Sequence, residues 1–201
     1  MNNNLLTFES IGQSIVGQIY PYIINDLRTY YKESFSNKNI LEIGTGPGFI
    51  LIQLLKEKFT HVYGIDISLD MLIKASNRIQ NKEKLFLINA KAEKLPFKNE
   101  SIDIILSRGS VFFWKDIDKS LCEIYRVLKP NGFLLIGGGY GISTPENLIL
   151  DISNYFKKNI SKNEKPKIEI NNVTNIMQRI GGKFEVIAKP KHGFWISWRK
   201  F

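Results

Sequence analysis

Short apolar runs alternate with stretches of helical periodicity along most of this chain, and that alternation is what most limits its fold. The runs are five or six residues long and rich in Ile, Leu, Val and Phe. Runs of that length are typical of strands buried inside a sheet, whereas apolar positions repeating every three or four residues are typical of helices packed against it. The alternation predicts an α/β domain with a mainly parallel sheet.

Seven strands are predicted in this way. They lie at residues 39–43, 61–66, 85–89, 101–106, 132–136, 184–188 and 194–198. The link between the last two is too short for a parallel crossover, so these two strands are predicted to form an antiparallel hairpin. Helices are predicted over residues 48–58, 68–79 (with Ser68 as N-cap), 117–128, 145–158 and 172–180. A turn is predicted at residues 129–132, and a flexible loop at residues 159–167.

The whole chain, residues 1–201, is predicted to be one domain, with an N-terminal helical lid at residues 1–38 and an α/β core at 39–201. Within the lid, residues 8–31 have an amphipathic pattern that Pro21 interrupts. The chain has no apolar run near the roughly 18 residues that span a bilayer, and its start lacks a secretory pattern. A single cysteine, Cys122, excludes a disulfide framework and a multi-cysteine metal site. We therefore expect a cytoplasmic protein without a metal site or membrane association.

A glycine-rich loop follows the first predicted strand, and an acidic residue ends the second. Glycine at positions 44, 46 and 48 permits a sharp turn and lets a ligand approach main-chain N–H groups. Asp66 stands where an acidic side chain accepts hydrogen bonds from ribose hydroxyls in nucleotide-binding α/β folds. Loop and acid together predict a ligand that contains ribose.

The loop sequence distinguishes among ribose-containing ligands. A nucleoside triphosphate site requires a lysine that the loop lacks, and a dinucleotide site expects glycine where Phe49 stands. Glu42, just before the loop, would repel a pyrophosphate but attract an ammonium group. The combination favours a cationic nucleoside such as S-adenosylmethionine, and makes an NAD-dependent dehydrogenase a distant alternative.

Over nearly its whole length, the chain resembles the class I S-adenosylmethionine-dependent methyltransferases. The resemblance rests on five segments in the family's order: residues 41–48, 64–68 with Met71 following, 92–97, 101–105 and 126–132. It implies a Rossmann-like, seven-stranded, mostly parallel sheet of order 3-2-1-4-5-7-6. The last strand would be antiparallel, and helices would cover both faces.

The resemblance also implies roles for individual residues. Glu42 would lie near the amino group of the cofactor, Asp66 would hold the ribose, and Ile67 and Met71 would sandwich the adenine. The full set of implied cofactor-binding residues is Glu42, Gly44, Thr45, Gly46, Gly48, Asp66, Ile67, Met71, Ala92, Glu93 and Ser107. Lys91 departs from the family, which often has an acid there to contact the adenine amino group. Lysine cannot accept that hydrogen bond, so we assign Lys91 no role.

The methyl acceptor is expected at the carboxyl ends of the strands, where aromatic residues gather. Tyr20, Arg108 and Trp114 are the candidate acceptor contacts, although Arg108 is equally consistent with a solvated loop. Methyl transfer by direct displacement depends mainly on positioning, so no catalytic base is predicted. The short lid favours a small-molecule acceptor.

Two alternatives stay open for the function. The formal net charge of +9 is compatible with an RNA acceptor, although the lysines are scattered along the chain. A non-catalytic subunit that binds S-adenosylmethionine is the other. The sequence does not determine the oligomeric state.

Overall fold

The computed structural model describes residues 15–159 and 168–201. Its strands are β1 (Asn39–Ile43), β2 (His61–Asp66), β3 (Leu85–Asn89), β4 (Ile102–Arg108), β5 (Leu128–Gly139), β6 (Lys183–Lys189) and β7 (Gly193–Arg199). They form one seven-stranded sheet in the order β3-β2-β1-β4-β5-β7-β6. β7 runs antiparallel to both of its neighbours, and the pairs among β1 to β5 are parallel. The predicted fold class and strand order are confirmed.

Six α-helices accompany the sheet in the described residues. They are α1 (Tyr20–Tyr31), α2 (Phe49–Leu54), α3 (Leu69–Arg78), α4 (Ile117–Val127), α5 (Glu146–Asn159) and α6 (Ile170–Ile180). Two short 3-10 helices, Ile15–Ile19 and Val111–Phe113, precede α1 and α4. None of the helices in this part of the chain combines the length and apolarity that crossing a bilayer requires.

Two apolar cores lie on opposite faces of the sheet, because successive strand residues point to opposite sides. In β1, Ile40 belongs to the core formed with α1 and α2, whereas Leu41 belongs to the core formed with α4 and α6. Ile104 and Ile105 in β4 divide in the same way. The central strands are therefore apolar on both faces, which explains their continuous apolar runs.

Pro21 starts a helix rather than interrupting one. It lies in the first turn of α1, where a missing N–H costs no intrahelical hydrogen bond, and the 3-10 helix precedes it. Residues 1–14 of the predicted lid and residues 160–167 of the predicted loop lie outside the described residues. The division into a lid and a core remains an expectation.

The turn predicted at residues 129–132 lies inside β5. Asn131 has a left-handed backbone with φ of 62°, so the chain does bend there. However, the N–H of Asn131 donates to the carbonyl of Lys200, and the N–H of Lys200 donates to the carbonyl of Gly132. These bonds keep the bent segment in the sheet. α2 also ends at Leu54, earlier than the predicted residue 58.

Candidate cofactor site

A cavity of about 530 Å³ lies where β1, β2 and β4 end. Twelve of the predicted site residues line it: Tyr20, Glu42, Gly44, Thr45, Gly46, Asp66, Ile67, Met71, Ala92, Glu93, Arg108 and Trp114. The volume falls within the range of small-molecule sites. The structure therefore brings most of the predicted residues to one place.

The glycine loop is held by its own main-chain N–H groups. Those of Gly44 and Thr45 both donate to the carbonyl of Ile65, at 2.9 and 3.0 Å, and that of Gly46 donates to Asp66 Oδ2 at 2.8 Å. The expectation that the loop offers these N–H groups to a ligand is wrong, because they fasten the loop to the end of β2. Because its glycines have no side chains, the loop instead allows a ligand to lie close to the backbone.

Asp66 links the loop to the start of α3. Besides accepting from Gly46 through Oδ2, its carboxylate accepts from the N–H of Ser68 through Oδ1 at 2.9 Å. Ser68 in turn accepts from the N–H of Met71, which confirms it as the N-cap of α3. An ionised carboxylate has about four acceptor positions, so two remain for ribose hydroxyls.

Glu42 is a buried acid at the inner end of the cavity, with 2% of its surface exposed. Burial raises the pKa of its carboxyl to about 8; the hydroxyl of Thr45, which donates to Oε2 at 2.6 Å, opposes this rise. Asp66 adds to the rise and Arg108 opposes it. The carboxyl is therefore mostly protonated at pH 7, and a ligand ammonium would favour its ionised form.

Two aromatic rings of the cavity lining stack on each other between two arginines, an arrangement that the sequence analysis did not predict. The Tyr20 and Phe49 rings are parallel within 4°, with centroids 5.5 Å apart. The guanidinium of Arg78 lies 4.2 Å from the Phe49 centroid, and that of Arg108 lies 5.5 Å from the Tyr20 centroid. The stack holds the first residue of α1 against the cavity wall.

Two predicted residues lie outside the cavity lining. Ser107 is fully buried, with its hydroxyl 2.7 Å from that of Ser110. At Gly48, which is at φ of 85°, an added Cβ would lie 2.9 Å from the Cβ of Ala75. Both residues support the site from behind, Ser107 through Ser110 and Gly48 through close packing on α3.

Ser110 lines the cavity as well, although the sequence analysis assigned no individual role to it. Its hydroxyl donates to the carbonyl of Ile43 at 2.9 Å, which ties the loop after β4 to the end of β1. The two residues are far apart in sequence, so no local pattern could reveal the contact.

Glu93 lines the cavity while also holding a loop. Its Oε1 accepts from the N–H of Lys115 at 2.8 Å. Lys91, for which no role was predicted, lines the cavity as well. No group of three or more potential His, Cys, Asp or Glu metal ligands occurs among residues 15–159 and 168–201.

Known proteins resemble this chain in sequence and in fold. A family model described as a methyltransferase domain matches residues 41–136. The solved structure of a Methanococcus maripaludis protein, provisionally described as an S-adenosyl-L-methionine-dependent methyltransferase, superposes with a TM-score of 0.80 at 27% identity. That superposition covers all of this chain and 96% of the other. These comparisons support the predicted family, the class I S-adenosylmethionine-dependent methyltransferases, and the cofactor predicted with it.

Curated relatives match about half of this chain. An uncharacterized methyltransferase of Bacillus subtilis, YdaC, is 40% identical over 95 residues, which are 47% of this chain and 52% of the relative. Phosphoethanolamine N-methyltransferase 2 of Caenorhabditis elegans is 34% identical over 109 residues, which are 52% of this chain and 25% of the relative. The chain thus spans about half of the first relative's length and a smaller share of the second.

Proposed function

We propose that this chain transfers a methyl group from S-adenosylmethionine to a small-molecule acceptor by direct displacement. The observation that carries the proposal is one cavity in which a buried acid, Glu42, and a strand-end acid, Asp66, flank the glycine loop. The cofactor supplies a methyl carbon activated by the adjacent sulfonium. The protein has to bind and orient the cofactor and the acceptor, and it has to exclude water.

The residues that line the cavity suit the parts of this cofactor. Glu42 would receive the ammonium group and Asp66 the ribose hydroxyls. Ile67, whose side chain is 63% exposed, and Met71 offer apolar contacts for adenine, with Ala92 and Glu93 along its edge. An exposed Ile at the cavity rim gains from covering a flat apolar ring.

The acceptor would bind between the cofactor and the stack of Tyr20 on Phe49. Trp114 and Arg108 complete that part of the cavity wall. Because Tyr20, the first residue of α1, forms part of the wall of a cavity of about 530 Å³, the space suits a small molecule better than a folded macromolecule. The Caenorhabditis elegans relative, whose name specifies a small acceptor, supports the same choice.

Calorimetric titration with S-adenosylmethionine and S-adenosylhomocysteine tests the proposal. We expect both to bind, and we expect Asp66→Ala to weaken binding roughly 10- to 100-fold, because hydrogen bonds to a charged group contribute about 1.5–3 kcal/mol. Asp70→Ala is the matched control, since Asp70 is an exposed residue of α3. Absence of binding by the wild type would overturn the proposal.

Transfer of a labelled methyl group to candidate acceptors separates catalysis from mere cofactor binding. RNA is the runner-up acceptor, favoured by the net charge of +9. An RNA acceptor requires affinity for bulk RNA that falls steeply with salt. Binding that is negligible at low salt would eliminate it.

A further inference from the structure

Arg108 places a cation in the cavity wall at the carboxyl end of β4. Its Nε donates to the carbonyl of Gly139 at the end of β5, at 2.9 Å, and its guanidinium lies over the ring of Tyr20. The side chain is half-buried and lines the cavity. It is therefore held by one backbone acceptor and one aromatic face.

Arg108 forms no ion pair with a carboxylate among residues 15–159 and 168–201. Arg28, Arg126, Arg179 and Arg199, by contrast, each pair with an acidic side chain. Burial lowers the pKa of the Arg108 guanidinium, and Tyr20, Tyr140 and Glu42 oppose that shift, but Glu42 forms no ion pair with it. A half-buried cation without a counter-ion is costly, and an anionic ligand would remove that cost.

Arg108 lies on the side of the cavity that β4, the end of β5 and the start of α1 form. The guanidinium contacts Tyr20 at the start of α1 and Gly139 at the end of β5. The residues proposed for ribose and adenine, Asp66 and Met71, belong instead to β2 and α3. Next to Arg108, Gly109 at φ of 76° leaves open space, since a Cβ there would meet nothing within 4 Å.

We propose that Arg108 recognises an oxyanion, a carboxylate or a phosphate group, on the methyl acceptor. This inference rests on the proposed function and specifies the class of its substrate. With Nε committed to Gly139, the two terminal nitrogens remain to bind two oxygens of one oxyanion, the geometry in which arginine excels. S-adenosylmethionine carries a net positive charge, which adds to the attraction for an anionic acceptor bound beside it.

Inorganic phosphate serves as the probe, titrated into protein saturated with S-adenosylhomocysteine. We expect Arg108→Gln to weaken phosphate binding at least tenfold and to change S-adenosylhomocysteine affinity by less than threefold. Arg179→Gln is the matched control, because Arg179 is an exposed arginine of α6 paired with Asp118. It should leave both affinities unchanged. If Arg108→Gln fails to fold, Arg108→Lys keeps the charge but loses the two-pronged geometry, and phosphate affinity should still fall several-fold.

A second ligand distinguishes the oxyanion of the acceptor from the carboxylate of the cofactor. 5′-Methylthioadenosine lacks the amino-acid part of the cofactor. If Arg108→Gln weakens S-adenosylhomocysteine but not 5′-methylthioadenosine, Arg108 serves the cofactor and the inference is overturned. It is also overturned if phosphate fails to bind the wild-type complex at millimolar concentration, or binds Arg108→Gln equally well. Failure of the proposed function would look different, since S-adenosylhomocysteine itself would not bind.

Discussion

At the scale of single residues, Glu42 couples the stability of the protein to pH. Burial moves the pKa of its carboxyl from the usual 4.5 to about 8. Between these values the folded protein holds a proton that the unfolded chain has released. The free energy of unfolding therefore falls as pH rises through this window, by an amount on the order of 3–5 kcal/mol.

Glu42→Gln should remove that fall, because an amide does not titrate. In urea unfolding without ligand, we expect the stability of Glu42→Gln relative to the wild type to increase steadily from pH 5 to about pH 9. Glu185→Gln, at an exposed position of β6, is the control and should track the wild type. A pH-independent difference between Glu42→Gln and the wild type would show that Glu42 is not the responsible group.

Gly44 and Gly46 form a matched pair within one loop. Both have positive φ, but a Cβ at Gly44 would lie 2.1 Å from the Cβ of Ser110, whereas a Cβ at Gly46 would meet nothing within 4 Å. We expect Gly46→Ala to lower stability by only about 1–2 kcal/mol, the cost of the backbone conformation. Gly44→Ala should lower it by clearly more. Thermal unfolding of both variants measures the contrast, and equal losses would contradict it.

At the scale of elements, one buried carboxylate joins α1 to the segment after β5. Asp26 accepts the N–H of Ile142 through Oδ2 and that of Ser143 through Oδ1 at 3.0 Å. The hydroxyl of Ser143 also donates to the carbonyl of Tyr22 at 3.2 Å. α1 is thereby fixed at its middle, while the stack on Tyr20 fixes its beginning.

Asp26→Asn should loosen this connection, because an amide offers one acceptor oxygen where the carboxylate offers two. We expect a loss of about 1–3 kcal/mol in unfolding free energy. Hydrogen exchange at the Ile142 and Ser143 amides should accelerate. Asp151→Asn, at an exposed position of α5, is the control. Unchanged protection of both amides in Asp26→Asn would rule out the connection as described.

Local patterns predicted the strands and the N-cap at Ser68, because apolar runs and caps are encoded within a few neighbouring residues. They placed a turn at residues 129–132 because Pro130 and Asn131 are turn formers. Local pattern could not show that Lys200, remote in sequence, pairs with that segment and keeps it in the sheet.

The residues of the candidate site also differ in whether a local sequence pattern could reveal them. Glu42, Asp66 and the glycine loop were predictable because each stands at a strand end with a recognisable neighbour. Ser110 and the stacking of Tyr20 on Phe49 were not, because each depends on contacts between segments remote in sequence. The sequence also could not show that the loop N–H groups are already bonded, because their acceptors lie on β2.

At the scale of the whole molecule, the three tryptophans report on different events. Trp195 and Trp198, both in β7, are each 1% exposed and belong to opposite cores, whereas Trp114 lines the cavity. We expect S-adenosylhomocysteine to change the emission of Trp114 and to leave that of the other two largely unaltered. Trp114→Phe should therefore lose the change in tryptophan emission on ligand binding but keep the red shift of that emission on unfolding. A binding signal of undiminished size in Trp114→Phe would contradict this assignment.

β7 is the last strand in chain order, yet it lies between β5 and β6 in the sheet. During synthesis the earlier segments leave the ribosome first, so β1 to β5 can pair before β7 exists. Within the described residues, β6 pairs with β7 alone. It can therefore join the sheet only once residues 193–199 are available to pair with β5. The far side of the sheet is completed in reverse spatial order, because the edge strand precedes in the chain the strand that connects it to β5.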